Sequence, residues 1–154
     1  MTTRKHEHAE VFNTTPENLF SLLYTPSAIR QWWSADRAIV LPEVGGLWSA
    51  AWRTDEDNPD YMTIATITDF EPPSRLLLTD YRYHSKDGEL PFEANFTNEF
   101  IVTPHAEGAS LKVIQDGFPA GSEGDEFLKG CEVGWRETFK GIHRYLGEHD
   151  EPIL

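Results

Sequence analysis

SEGDEFLKGCEVGWRETFKGIHRYL, residues 122–146, reads as one long amphipathic helix, and the rest of the chain is arranged around it. Phe127, Leu128, Cys131, Trp135, Phe139, Ile142, Tyr145 and Leu146 recur at helical spacing and make one broad apolar stripe. Lys129, Glu132, Arg136, Lys140 and Arg144 take the opposite side. Ser122, with Asp125 three residues on, gives a capping-box start, and Gly147 is the expected stop. At about 1.5 Å per residue the helix runs roughly 36 Å, enough to cross a small domain. So wide a stripe has to be buried against something large, and the upstream strands are the candidates.

Gly130, Gly134 and Gly141 fall along one edge of this stripe. Each costs about 1 kcal/mol against alanine in a helix interior. Two readings account for them: a neighbouring element packed close to the helix backbone, or the rim of a cavity.

Upstream, Glu7 to Asn13 reads as a first strand, with Ala9 and Val11 alternating against polar neighbours. His6 and His8 share a face of it, but no third ligand lies nearby, so no metal site is predicted. Thr14-Thr15-Pro16-Glu17 is a helix start, with a threonine cap, proline in the first turn and an acid at the positive end of the dipole. Leu19, Phe20 and Leu23 form its apolar face. Thr25-Pro26 opens a second short helix with Ile29, Trp32 and Trp33 inward.

Strands follow over Ala38–Leu41, Leu47–Arg53, Tyr61–Phe70, Arg75–Tyr83, Phe92–Thr103 and Ser110–Phe118. Between them lie Gly45-Gly46, a polar loop over Thr54–Pro59, the turn Glu71-Pro72-Pro73-Ser74 and the hairpin signal Asp87-Gly88. Phe92–Thr103 alternates most cleanly: Phe96, Asn98, Phe100 and Val102 share one face, and Thr97 and Glu99 the other. That pattern belongs to an antiparallel sheet covered on one side. Strands segregated from a covering helix give an α+β fold, and a bent sheet around a long helix leaves space for a pocket.

The charge of −13 disfavours nucleic acid and anionic membrane surfaces. Five Trp, nine Phe and five Tyr within a 39% hydrophobic composition suit a single globular domain over residues 1–154. One cysteine fits a reducing compartment, and on the apolar face Cys131 reads as a small core residue. Without a membrane-length apolar run or a signal-peptide core, the cytoplasm is the expected location.

At this point the chain resembles the START-like (SRPBCC) superfamily, and within it the branch named after the activator of the heat-shock chaperone ATPase. The resemblance rests on Thr15-Pro16-Glu17, Leu23, Thr25-Pro26 and Trp32-Trp33. Further pieces are Gly45-Gly46-Leu47-Trp48, Asp69-Phe70-Glu71-Pro72-Pro73-Ser74-Arg75-Leu76, Asp116-Gly117-Phe118-Pro119 and Gly134-Trp135. They occur in the family's order over nearly the whole chain. The resemblance implies a helix-grip fold, a curved antiparallel sheet gripping the C-terminal helix around a cavity. Its members include binders of hydrophobic molecules, cyclases and hydrolases.

The sequence shows no nucleophile elbow, phosphate loop, zinc helix or Cys-x-x-Cys pair, so no catalytic residue, metal or cofactor is predicted. His84, His105, His143 and His149 read as surface residues. Trp33, Trp48, Trp52, Tyr81, Phe96, Asn98, Phe100, Gln115, Phe118, Cys131 and Trp135 are the candidate ligand-binding residues. The aromatic ones read more readily as plain core, and the amides as satisfied within the sheet sooner than free for a ligand. The orientation of Tyr81 and Tyr83 stays open. Three functions are carried forward. The first is binding of a small hydrophobic or aromatic molecule. The second is a stress- or chaperone-associated interaction module, with a homodimer among its forms. The third is a cyclase- or hydrolase-type enzyme.

Overall fold

The computed structural model describes residues 3–55, 57–86, 88 and 95–149. Strand β1 (Thr3–Phe12) is followed by helices α1 (Pro16–Ser21) and α2 (Pro26–Trp32). Strands β2 (Arg37–Val40), β3 (Leu47–Asp55), β4 (Asn58–Glu71), β5 (Arg75–Ser85), β6 (Thr97–His105) and β7 (Gly108–Pro119) come next. A 3-10 turn (Ser122–Gly124) leads into α3 (Asp125–His149). Among the described residues the strands form one sheet in the order β1-β7-β6-β5-β4-β3-β2, every pairing antiparallel. With α3 lying on its inner face, this is the helix-grip α+β arrangement.

The long helix differs at both ends from the sequence reading. Ser122 opens a 3-10 turn instead of capping α3, and Asp125 is held from outside by an ion pair with Arg4 of β1 at 2.7 Å. Gly147 does not stop the helix, which continues to His149. The stripe itself buries as expected: Trp135, Phe139, Ile142 and Leu146 join Leu76, Leu78, Phe100, Leu111 and Val113 in one core. The opposing charged side stays in water apart from Glu132, which is half-buried.

β1 presents the other face from the one expected. Phe12 is fully buried, and the two-residue repeat then turns Glu10, His8 and His6 inward and leaves Ala9 exposed. Imidazole rings can face apolar surface edge-on or stacked. His8 meets Phe139 with ring centroids 4.8 Å apart, and Phe12 stacks on His143 of α3 at 4.2 Å. Glu10 joins the two histidines, 2.6 Å from His8 Nε2 and 2.8 Å from His143 Nε2. His143 is exposed, as the sequence suggests, and in addition it docks α3 on β1. His84 and His105 are exposed as expected; the side chain of His149 lies outside the described residues.

The polar loop expected over Thr54–Pro59 is mostly strand, since β3 runs to Asp55 and β4 begins at Asn58. β6 begins only at Thr97; Phe92, Glu93 and Ala94 of the expected longer strand lie outside the described residues. The two short helices start as predicted, with Thr15 Oγ1 accepting from Asn18 N at 3.1 Å and Pro26 in the first turn of α2. Indole N–H groups pin this helical pair to the core. Trp32 Nε1 donates to Leu22 O and Trp48 Nε1 to Leu23 O, both at 2.9 Å, and Trp52 Nε1 donates to Trp33 O at 3.1 Å. These bonds satisfy carbonyls at the ends of α1 and α2 that no helix turn covers.

Two of the three register shifts among the described residues place site and core residues inward. On β5 the pairs Ile64–Arg82 and Thr66–Thr79 leave Asp80 and Tyr81 opposite Ala65 alone, and Asp80 takes φ +55°. Leu76 and Leu78 are buried before this bulge; after it the inward parity changes and Tyr81 faces the helix. On β7 the partners of Arg4 and Lys5 are Phe118 and Asp116, which skips Gly117 at φ +103°. A Cβ there would lie 2.6 Å from Asn95 O, so only glycine fits. This second bulge turns Phe118 into the core.

Candidate functional site

Between the N-terminal half of α3 and the middle of the sheet lies a recess of about 390 Å³. Trp33, at the end of α2, and Trp48 of β3 form one wall. Thr63 of β4, Tyr81 and Tyr83 of β5, Asn98 of β6 and Gln115 of β7 form the floor. Phe96 and Phe127 close one end, and Gly130, Cys131, Gly134, Trp135 and Thr138 of α3 form the roof. Gly130 and Gly134 are exposed and Tyr83 is 49% exposed, which marks the side open to solvent.

Eight of the eleven candidate residues meet here: Trp33, Trp48, Tyr81, Phe96, Asn98, Gln115, Cys131 and Trp135. Trp52, Phe100 and Phe118 are not in the lining. Trp52 stands behind Trp33, edge-on at 5.4 Å, and Phe100 backs Trp135 at 5.8 Å. Phe118 is fully buried against Phe96 and Phe127. Sequence reading missed Thr63, Tyr83 as a lining residue, Phe127 and Thr138. Phe127 was legible on the helical stripe, and Tyr83 required knowledge of the β5 bulge.

The three glycines divide. A Cβ on Gly141 would lie 2.1 Å from Trp32 O, so α2 packs directly on the helix backbone there. At Gly130 and Gly134 a Cβ would meet nothing within 4 Å. Close packing therefore accounts for Gly141, while Gly130 and Gly134 border the recess with no neighbour against their backbone.

Asn98 and Gln115 sit directly opposite each other on β6 and β7. Trp135 Nε1 donates to Gln115 Oε1 at 3.1 Å, and because an indole nitrogen can only donate, this fixes the orientation of the amide. Asn98 is 6% exposed and is the one buried polar residue among the described residues. Its Nδ2 donates to Tyr81 Oη at 2.8 Å, and its Oδ1 is buried with no partner. The amides were expected to be satisfied within the sheet; Asn98 is satisfied at one end only. Burial pushes the Tyr81 phenol far up, and it pushes the Cys131 thiol up to about 12, helped by the nearby Glu132 charge. Both stay protonated near neutral pH. Among the described residues no carboxylate, imidazole, ammonium or guanidinium lines the recess. Among the described residues no cluster of three or more His, Cys, Asp or Glu is placed to hold a metal. No helix among them is long and apolar enough to cross a membrane.

A curved antiparallel sheet closed by one long C-terminal helix, with two short helices after the first strand, defines the START-like class. The chain belongs to the family described as Activator of Hsp90 ATPase homolog 1-like protein, whose model matches residues 13–147. Its fold is similar to protein MLL2253 from Mesorhizobium loti, with TM-score 0.77 and 20% identity over 96% of this chain and 100% of that one. It is similar also to a protein from Rhodobacter sphaeroides, with TM-score 0.74 and 20% identity over 94% and 93% of the two chains. A third similar structure is the AHSA1 protein from Silicibacter pomeroyi, with TM-score 0.67 and 22% identity over 95% and 100%. No curated protein matches the chain. Family membership supports a small ligand-binding or chaperone-associated domain.

Proposed function

We propose that the recess is a binding cavity for a small hydrophobic or aromatic molecule. The observation that carries this reading is the pair Gly130 and Gly134. Each sits inside a helix, at a cost of about 1 kcal/mol against alanine, with no protein atom close enough to require it. Room for a guest explains what packing does not. The indoles of Trp33, Trp48 and Trp135 supply the apolar, flat-sided walls such a guest needs. A volume of about 390 Å³ lies at the small end of ligand sites, which suits one small molecule and not a long lipid. Native mass spectrometry of protein purified from cell extract tests the reading, with a retained small molecule and a ligand-raised melting temperature as the expected results. Bare protein in repeated preparations, and no thermal shift from a panel of aromatic compounds, would remove it.

A second reading, an interaction module of the chaperone-associated kind, is favoured by one surface. Ile39, Leu41, Val44 and Leu47, on edge strand β2, the turn after it and the start of β3, are 65%, 54%, 63% and 41% exposed. Apolar side chains grouped on a sheet edge suit a protein partner. Ile39→Asp with Val44→Asp would abolish such an association in a pull-down with the chaperone and leave ligand-induced thermal shifts unchanged. Among the described residues the lining offers no acid–base group able to titrate near neutral pH, so none of them favours the cyclase- or hydrolase-type reading.

A further inference from the structure

The polar strip on the cavity floor specifies more than an apolar guest. We infer that the cavity selects a neutral, planar molecule carrying a hydrogen-bond donor beside an acceptor, as in a lactam or other cis-amide edge, read by Asn98 and Tyr81. This rests on the recess being a ligand site.

The donor and acceptor inventory leads there directly. Asn98 Nδ2 spends one hydrogen on Tyr81 Oη, 2.8 Å away. That leaves the Tyr81 hydroxyl hydrogen as a donor and Asn98 Oδ1 as an acceptor, the latter buried with no partner. Turning the amide over changes nothing essential. Tyr81 would then donate to the carbonyl, and the amide NH₂ and a phenol lone pair would remain. In either orientation the pair offers an acceptor beside at least one donor. A buried acceptor left unmatched is costly, and a ligand N–H supplies its match. Gln115, facing Asn98 across the β6–β7 ladder, is already tied through Oε1 to Trp135, so its NH₂ adds a donor beside the same strip.

Charge is selected against. Among the described residues every lining side chain is uncharged, so a carboxylate, phosphate or ammonium would enter with no counter-ion from them. The phenol of Tyr81 cannot compensate a cation, because burial keeps it protonated. The overall charge of −13 further repels anions from the mouth. A flat guest suits the aromatic wall, where the Trp33 ring packs at a tilt on those of Trp135 and Trp48, with centroids 5.4 and 5.8 Å apart.

Titration calorimetry with three neutral bicyclic probes of nearly equal size tests this. Quinolin-2-one carries the donor and acceptor, quinoline an acceptor only, and naphthalene neither. The inference predicts that quinolin-2-one binds at least about tenfold more tightly than either of the others, the gain from adding two matched hydrogen bonds. Tyr81→Phe, which keeps the ring and the packing, should erase most of that preference while leaving naphthalene binding within about twofold. Asn98→Leu should do the same if it folds; the probe series in the unaltered protein stands whether or not it does. Equal affinity for all three probes would overturn the donor–acceptor inference and leave the cavity reading in place. Failure of all three to bind would overturn both.

Discussion

The two halves of α3 use the same glycine edge in opposite ways. In the C-terminal half, Gly141 lets α2 rest on the helix backbone, and Phe139, Ile142 and Leu146 fill the space between α3, β1 and the sheet. In the N-terminal half, Gly130 and Gly134 face open space, and the side chains beyond them stop short of the helix. One half is a fastening and the other is a gap. A helix can thus be anchored firmly at one end while its other end roofs a cavity, and stability and binding are separated along a single element.

Substitutions should reveal the contrast, the largest effects coming from the fastened half. Phe139→Ala removes a fully buried ring that touches Trp135, Phe12 and His8, and should cost about 3–5 kcal/mol in chemical denaturation. Gly141→Ala drives a Cβ into the Trp32 carbonyl, backbone that cannot swing aside. A loss of about 1–3 kcal/mol is expected, in spite of alanine's better helix propensity. Gly134→Ala, on the same edge, should have the opposite sign and stabilise by up to about 1 kcal/mol. If the two alanine substitutions shift stability in the same direction, the division of the helix is wrong.

The smallest effects are protonic. The Cys131 thiol lies in the gap half, held up to about 12 by burial and then by Glu132. Alkylation by iodoacetamide at pH 8 should be much slower than in urea-unfolded protein. Its folded pKa exceeds its unfolded one, so this group's stability contribution is whole below pH 9 and declines as pH rises toward 12. On β1, desolvation lowers the His6 pKa from 6.5, against the raising effect of Glu132, with His8 and Arg136 lowering it further. The unfolded chain then takes up the proton first, and stability should fall as pH drops through 6.5. His6→Phe should flatten that part of a pH series of melting temperatures.

What could be read from the sequence depended on how regular each element is. The stripe on α3 and the alternation of β6 and β7 were legible because an unbroken period assigns every face. β1 was misread because its apolar residues, Ala9 and Val11, are small, while the large Phe12 that sets the phase ends the strand. Imidazole rings then take places where aliphatic residues are expected. Tyr81 could not be oriented because Asp80, a residue that tolerates positive φ, hides a bulge that reverses parity. Trp52, Phe100 and Phe118 share the expected inward faces, but composition does not tell the first layer around a recess from the layer behind it. The unmatched carbonyl of Asn98 is a matter of atomic placement, and no sequence pattern carries it.

The central claim is that the open half of α3 covers a ligand site, and Gly134→Leu examines it most directly. Its Cβ has free space, so the side chain can enter the recess without displacing protein atoms. The comparison to make is the melting-temperature shift given by quinolin-2-one in the unaltered protein and in this variant. A clear rise in the first and none in the second, with the variant itself at least as stable, is the predicted result. Equal shifts in the two proteins would contradict the account, because the guest would then be bound somewhere other than beneath that helix.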